Sequence, residues 1–512
     1  MTAFLNEPLR CISDPSFVHE TLKHIESIED RLINIGPFIV ENRWGSSSRV
    51  HSFDPSNWDL PVSEVQDTDP KVLNPQLGKL ATFNLTLETA KHLCETIVNL
   101  LQKKRSYLTA LMAIEVGKPI LEADADVAEA IDFVRFYRQN LEKLKKAELY
   151  KNGVEECFMV YEPRGVSAVI SPWNFPIAIP TGMIIANLLV GNPVVFKPAE
   201  QATWLGYELY KLFLEAGFNE EQIVFAPGLG ETIGEALVKS PMIGQILFTG
   251  SRAVGTRIIE LSARHHSVFG FKKVIAEMGG KNAIYVDQDV DIDHAVEAVI
   301  QSAFSYAGQK CSACSRVFVH SKIKKPFIDS LSEKIKTIRI GSAKDPNTFL
   351  PYVIDKSSYH RLISIVKEAE KSGLVIAQSS YPESKSACFV PATLILEPPR
   401  DSVFNKEELF GPILSVFEVP SFDEALPLIN GVDYALTGGV ITKSQKIVEK
   451  AIREFNCGNL YVNRKITGAL VGRHPFGGRL FSGTGFKAGG ENYLLQLVQE
   501  KSVSISGYIS DI

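Results

Sequence analysis

Cys311 lies in the run Gly308-Gln309-Lys310-Cys311-Ser312-Ala313-Cys314-Ser315-Arg316, thirty-four residues after Glu277 in Glu277-Met278-Gly279-Gly280-Lys281-Asn282. A lone cysteine is most often a packed core residue. Here its neighbours are Gly, Gln, Lys and Ser rather than an apolar run, which favours a nucleophile, with Lys310 as the candidate cation that lowers its pKa. Thiol and carboxylate together suit two-step thioester chemistry: the thiol attacks a carbonyl, and the carboxylate later activates water to release an acid. Cys311 and Cys314 also form a C-x-x-C pair that could cycle as a dithiol or bind zinc, but no second Cys or His pair completes a tetrahedral site.

Two further groups belong to this chemistry. Glu277 follows an expected strand, Lys273–Ala276, and precedes two glycines, so it can be aimed into a cleft; the alternative is a solvated loop acid. Asn174, in Pro172-Trp173-Asn174-Phe175-Pro176, falls between a strand and a helix. Its amide can donate to an oxyanion beside the Cys311 N–H, or it can simply cap the helix; the local sequence weighs these evenly.

For a cofactor, the G-x-G-x-x-G fingerprint is missing, and Gly228–Gly234 is one residue too long for it. A better signal is Phe248-Thr249-Gly250-Ser251-Arg252-Ala253-Val254-Gly255, which puts small residues at a helix N-terminus where backbone donors meet a pyrophosphate. Lys197 and Glu200 follow the strand Val194–Phe196 at the usual ligand edge of such a sheet. An acid there accepts both ribose hydroxyls and repels a 2′-phosphate, favouring NAD over NADP.

The elements that must position these residues alternate. Strands are expected at Val166–Ile170, Val194–Phe196, Ile223–Ala226 and Ile246–Phe248, with helices near Ile177–Leu189, Thr203–Glu215, Thr232–Lys239 and Ala253–Ala263. That rhythm implies a parallel sheet with helices on both faces. A second α/β region runs from Ala283 to about Ile441, with strands near Ile284–Val286, Val317–Val319, Leu374–Ala377 and Leu414–Phe417. Before residue 80 the chain reads as a helix near Ser16–Ile33, then surface loop and short strands through Pro70. Amphipathic helices follow at Leu87–Ile114 and Ala123–Leu144, the second opening with acids that suit the helix dipole. The tail, Lys501–Ser506, alternates weakly and is expected to pair as an exposed strand with another subunit.

Composition sets the limits. At 512 residues the chain is too long for one core, and 45% hydrophobic with 22% charged residues is ordinary for globular proteins. A net charge of −5 argues against nucleic acid or an anionic membrane as the main partner. No apolar stretch is long enough to span a bilayer. The N-terminus carries neither a basic-then-apolar leader nor an Arg-rich transit peptide, and seven scattered cysteines are no disulfide framework; cytoplasmic residence is the expectation.

The motifs, read together, resemble aldehyde dehydrogenases of the 1-pyrroline-5-carboxylate dehydrogenase (L-glutamate γ-semialdehyde dehydrogenase) branch. The resemblance rests on Ser171 to Gly490, above all on Lys273–Asn282, Gly308–Arg316 and Gly458–Ala469, with Glu408-Leu409-Phe410-Gly411-Pro412 and Pro475-Phe476-Gly477-Gly478. It implies the aldehyde dehydrogenase fold. Residues 1–282 would hold an N-terminal segment and a Rossmann-like NAD-binding domain, 283–480 a catalytic α/β domain carrying Cys311, and 481–512 a substrate-anchoring loop and oligomerisation tail.

The resemblance further implies Cys311 as nucleophile, Glu277 as the base for deacylation and Asn174 as oxyanion donor. Ser171, Lys197, Glu200, Gly250, Ser251, Gly255, Glu408 and Phe410 would contact NAD. Phe175 and Phe476 would wall the aldehyde chain, and Ser482, Gly483 and Ser312 would hold the substrate carboxylate. The implied reaction is NAD-dependent oxidation of L-glutamate γ-semialdehyde to L-glutamate in proline breakdown, by a homodimer or larger assembly with proline dehydrogenase as a partner. Two departures, Arg479-Leu480-Phe481 and Gly485-Phe486, bear on which semialdehyde fits, and Asn57–Asp69 is longer and more acidic than the resemblance predicts. The rival readings are a dehydrogenase of another semialdehyde and a non-catalytic structural protein on the same fold.

Overall fold

The computed structural model describes residues 4–144, 147–151, 154–382 and 387–506. Its first sheet has five parallel strands in the order Lys273–Glu277, Ile243–Thr249, Val166–Ile170, Val194–Lys197, Ile223–Phe225. Val166, Ala168, Val169, Val194, Val195 and Phe196 are all buried, as a parallel sheet covered on both faces requires. The chain starts at the centre, runs outward through two strands, then crosses to the other side. Order therefore reverses beside Val166–Ile170, and the crevice at the carboxyl ends of that strand and Ile243–Thr249 is where such sheets take ligands. Ser171, Asn174, Gly250 and Ser251 follow directly from those two ends.

A second, seven-stranded sheet has the order Val375–Gln378, Thr393–Leu396, Ile413–Val419, Cys314–His320, Asn282–Val286, Thr437–Ile441, Asn459–Val462. It is parallel except for its first strand, which pairs antiparallel at the edge. The strands at 393–396, 437–441 and 459–462 were not expected. In Thr437-Gly438-Gly439-Val440-Ile441 the two glycines mask the strand signal; packing requires them, because a Cβ on Gly438 would meet the Phe455 ring and one on Gly439 the Ile466 side chain.

Several expectations need correction. The stretch through Pro70 is a long antiparallel pair, Gly45–Asp54 with Asn57–Thr68, and Val50, Val62 and Val65 are buried in it. The expected helix Leu87–Ile114 breaks at Lys104 into Leu87–Lys103 and Arg105–Glu115, which turns Arg105 into a buried ion pair with Asp124. The tail strand is Val498–Ser506, and it pairs with Glu155–Pro163 of its own chain, with Ala147–Lys151 beyond. Its other side forms the sheet edge. Among the described residues no helix is long and apolar enough to cross a membrane.

Candidate active site

Cys311 sits at the end of a strained turn. Tyr306, Ala307 and Gly308 have φ of 53°, 54° and 66°, three successive residues in the left-handed region. The turn is held from several directions. Tyr306 Oη donates to Val116 O, and Gln309 accepts from Ile354 N–H through Oε1. A Cβ on Gly308 would lie 2.6 Å from Gly411 O, so only glycine permits this approach. Asn282 donates to Cys311 O at 2.7 Å and Ala313 O at 2.8 Å, tying the thiol loop to the segment that carries Glu277.

Lys310 does not serve the thiol as expected. Its ammonium pairs with Glu122 at 2.6 Å and donates to Ser305 Oγ at 3.0 Å. Burial instead pushes the Cys311 thiol well above its ordinary range, and the Glu408 and Glu277 carboxylates push the same way against one Ser312 N–H. Cys314 is buried in its strand and its Sγ donates to Arg316 O, so it is packed rather than poised.

Glu277 ends the strand Lys273–Glu277. Its Oε2 accepts the Gly478 N–H at 3.0 Å, while Oε1 is buried with no hydrogen-bond partner. Burial pushes this carboxyl up to about 8, the direction that makes a stronger base. Gly477 and Gly483 leave it room: a Cβ on either would come within 2.9 Å and 2.8 Å of Oε1. Asn174 is buried, and its amide donates to Gln309 O at 3.0 Å, two residues from the thiol. The helix after it starts at Ala178 with Ile177 before it, so Asn174 is not its cap.

At the sheet's ligand edge, Lys197 Nζ contacts Glu200 Oε1 at 3.1 Å, and both lie under the glycine run, with Gly234 against Lys197 and Gly230 against Glu200. Ser251 caps the helix Arg252–Arg264, whose N-terminus opens on the crevice. Gly250 and Gly255 are also demanded by packing, against the Phe248 ring and Met278. Across the crevice Glu408 is half-buried, accepts Gly280 N–H at 3.0 Å and is pushed up to about 7 by desolvation. Phe410, with φ of 52°, stands edge-on to Trp173 at 5.6 Å. A carboxylate and an ammonium at one end, backbone donors in the middle and a second carboxylate at the other fit a dinucleotide.

Around the thiol, Phe175 has the Lys118 ammonium 3.5 Å from its ring centre, Phe476 is half-buried, and Ser312 is buried with its carbonyl accepting from Thr437 Oγ1. Ser482 requires a correction. Its hydroxyl is fully buried, donates to Gly279 O at 2.7 Å and accepts from Ala435 N at 3.0 Å, so it is committed to the fold and unavailable to a ligand. Gly483 bridges Glu277 instead of facing a substrate. Arg479, Leu480 and Phe481 are exposed, Phe481 lying under the Arg252 guanidinium at 4.0 Å, and Phe486 is exposed as well.

Residues not singled out from sequence complete the cleft. Glu122, Asp126 and Glu129 share one face of the helix Ile120–Leu141 at i, i+4 and i+7. Glu122 holds Lys310 and Asp126 holds Lys118. Glu129, pushed up to about 8 by burial, acts electrostatically on Cys311 and Tyr461. Lys465 shares the field of Glu122 with Lys310, and its Cε lies 3.6 Å from where a Cβ on exposed Gly468 would be. The spacing of these acids was visible, but it was read as helix-dipole compensation.

The aldehyde dehydrogenase family model matches residues 77–503. The 1-pyrroline-5-carboxylate dehydrogenase of Bacillus licheniformis is 38% identical over 477 residues, covering 91% of this chain and 92% of that protein. The crystal structure of 1-pyrroline-5-carboxylate dehydrogenase from Thermus with bound NAD superposes with a TM-score of 0.93 at 34% identity, over 99% of this chain and 100% of the other. Proline utilization A from Bdellovibrio bacteriovorus superposes at 0.94 and 38% identity over 99% of this chain, which spans only 54% of that longer one. The chain belongs to the aldehyde dehydrogenase family.

Proposed function

We propose that this enzyme oxidises L-glutamate γ-semialdehyde, the open form of 1-pyrroline-5-carboxylate, to L-glutamate with NAD as oxidant, in proline breakdown. The observation that carries the chemistry is a strained, glycine-positioned Cys311 loop electrostatically coupled to Glu277, one of whose carboxylate oxygens is buried and unpartnered. The substrate class is supported by relatives named for it that match nearly the whole chain.

The Cys311 thiol gives up its proton to solvent water, the thiolate adds to the aldehyde carbon, and the new oxyanion is met by the Asn174 amide and the Cys311 N–H. NAD, when bound, accepts the hydride that leaves a thioester on Cys311. Glu277 then takes a proton from water, the hydroxide attacks the thioester carbonyl, the C–S bond breaks, and the acid departs. Lys197, Glu200, Ser171, the 250–255 turn, Glu408 and Phe410 would hold the cofactor. Phe175, Phe476 and Ser312 would line the substrate chain. Glu129 would meet an α-ammonium, and Lys465 with the Gly468-Ala469 backbone would meet the α-carboxylate, the role that Ser482 cannot fill. The same proposal includes division at 282 and 480, a cytoplasmic location, assembly through the Val498–Ser506 edge strand, and a proline dehydrogenase that delivers the intermediate.

The test is NADH formation with 1-pyrroline-5-carboxylate, succinic semialdehyde and propanal. Strong preference for the first, abolished by Cys311→Ala with NAD binding retained, is expected. Activity on the simpler aldehydes alone would keep the family chemistry and reject the substrate.

A further inference from the structure

Lys487 is a partly buried lysine on the tail side of the cleft, and no step above uses it. Its ammonium donates to Gly477 O at 2.5 Å and to Asn459 Oδ1 at 3.3 Å. Asn459 also accepts the Gly477 N–H at 3.3 Å and donates to Pro475 O at 2.9 Å, so the two side chains clamp residues 475–477. The next N–H along, that of Gly478, is the one that holds Glu277 Oε2. A Cβ on Gly477 would lie 2.9 Å from Glu277 Oε1 and 3.4 Å from Lys487 Cα, so a single glycine separates the acid from the lysine backbone.

The charges facing Glu277 are few. Among the described residues Lys487 is the cation that favours its ionised form, while the Cys311 thiol and Tyr493 phenol face the same carboxylate and gain nothing from its charge. Cys457 and Arg479 in turn flank Lys487.

We propose that Lys487 is a positioning residue for Glu277: its bond to Gly477 aims the Gly478 N–H that fixes the carboxylate, and its ammonium is the positive charge set behind that glycine. The proposal rests on the reading of Glu277 as the base for deacylation. The Lys487 charge favours the ionised form of Glu277 against the burial that opposes it.

The experiment follows decay of the acyl-enzyme by rapid quench and intact mass, against pH, in full-length wild type, Lys487→Gln, Lys487→Met and Lys487→Arg. Cys311 carries the acyl group in that step and does not titrate, so the profile reports Glu277. Lys487→Gln and Lys487→Met should move the rise of the decay rate up by about one pH unit and slow it about tenfold at neutral pH. First-turnover NADH formation should be unchanged, and Lys487→Arg should restore the wild-type profile. Either neutral variant suffices if the other does not fold. A neutral variant whose profile superimposes on wild type overturns the proposal, as does an effect in Met that is absent in Gln, which would leave only a brace. The underlying reading fails separately: Glu277→Gln with wild-type decay of the acyl-enzyme would remove Glu277 from the mechanism whatever Lys487 does.

Discussion

Lys118 has no solvent exposure, nor has its partner Asp126, and they meet at 2.7 Å. Burial opposes charge on both, so each holds the other ionised. The same ammonium donates to Asn174 O at 2.7 Å and sits over Phe175, while Asp126 accepts Ala178 N–H at 2.5 Å. The pair therefore sets the turn that aims the Asn174 amide. Lys118→Met leaves a buried carboxylate unpaired, which costs about 3–5 kcal/mol. Asp126→Asn strands the ammonium at a similar cost but keeps an acceptor for Ala178. In the double variant neither charge is stranded, so a coupling of about 2 kcal/mol or more is expected. Urea unfolding of the four proteins measures it. In the same set, first-turnover hydride transfer in Lys118→Met should fall by up to about 10²-fold, the usual scale for losing one oxyanion donor. A coupling below about 0.5 kcal/mol, or Lys118→Met within about 1 kcal/mol of wild type, would refute the argument.

Glu129→Gln should raise KM for glutamate semialdehyde while leaving that for succinic semialdehyde, which lacks the ammonium, nearly unchanged; steady-state kinetics on both substrates decides. Ser482→Ala should lower thermal stability and slow all aldehydes alike, because its hydroxyl joins Gly279 to Ala435; a KM effect confined to the amino-acid aldehyde would restore it as a substrate contact. The ligand-free enzyme should lose stability as pH rises. Glu115 and Glu408 are pushed up to about 7, and Glu129 and Glu277 to about 8, from an ordinary 4.5. Between about 4.5 and 7 these acids bind more protons in the folded state than in the unfolded one, so their contribution is full below about 4.5 and falls as pH rises through about 7, above which Lys281, pushed down to about 7 by burial, offsets the remaining fall. Melting temperatures across that window should decline, less steeply in Glu277→Gln; a flat or rising curve contradicts the burial assigned to these acids.

Much of the positioning was legible because it depends on local pattern. Continuous apolar runs marked the strands of the first sheet, and Thr203–Glu215 is a helix over the expected residues. Cys311 and Glu277 stood out because each lies in a glycine-flanked turn, and Asn174 only as a residue between a strand and a helix that could equally be a cap; the fold puts its amide on Gln309 O, two residues from Cys311. What escaped depends on contacts between distant segments. Lys310 looks like a partner for Cys311 in sequence, yet Glu122, 188 residues away, takes its ammonium. Ser482 reads as a donor in a Ser/Gly loop, yet Gly279 and Ala435 consume its hydroxyl. The glycines of Thr437–Ile441 hid an interior strand because their need arises from Phe455 and Ile466, which only the fold brings near.

The most direct measurement is the mass of Glu277→Gln enzyme quenched after mixing with NAD and 1-pyrroline-5-carboxylate, followed by peptide mapping. The account predicts one NADH formed per active site and a glutamyl adduct on the peptide that carries Cys311. An enzyme that turns over without such an adduct, or one acylated on a different peptide, would contradict it.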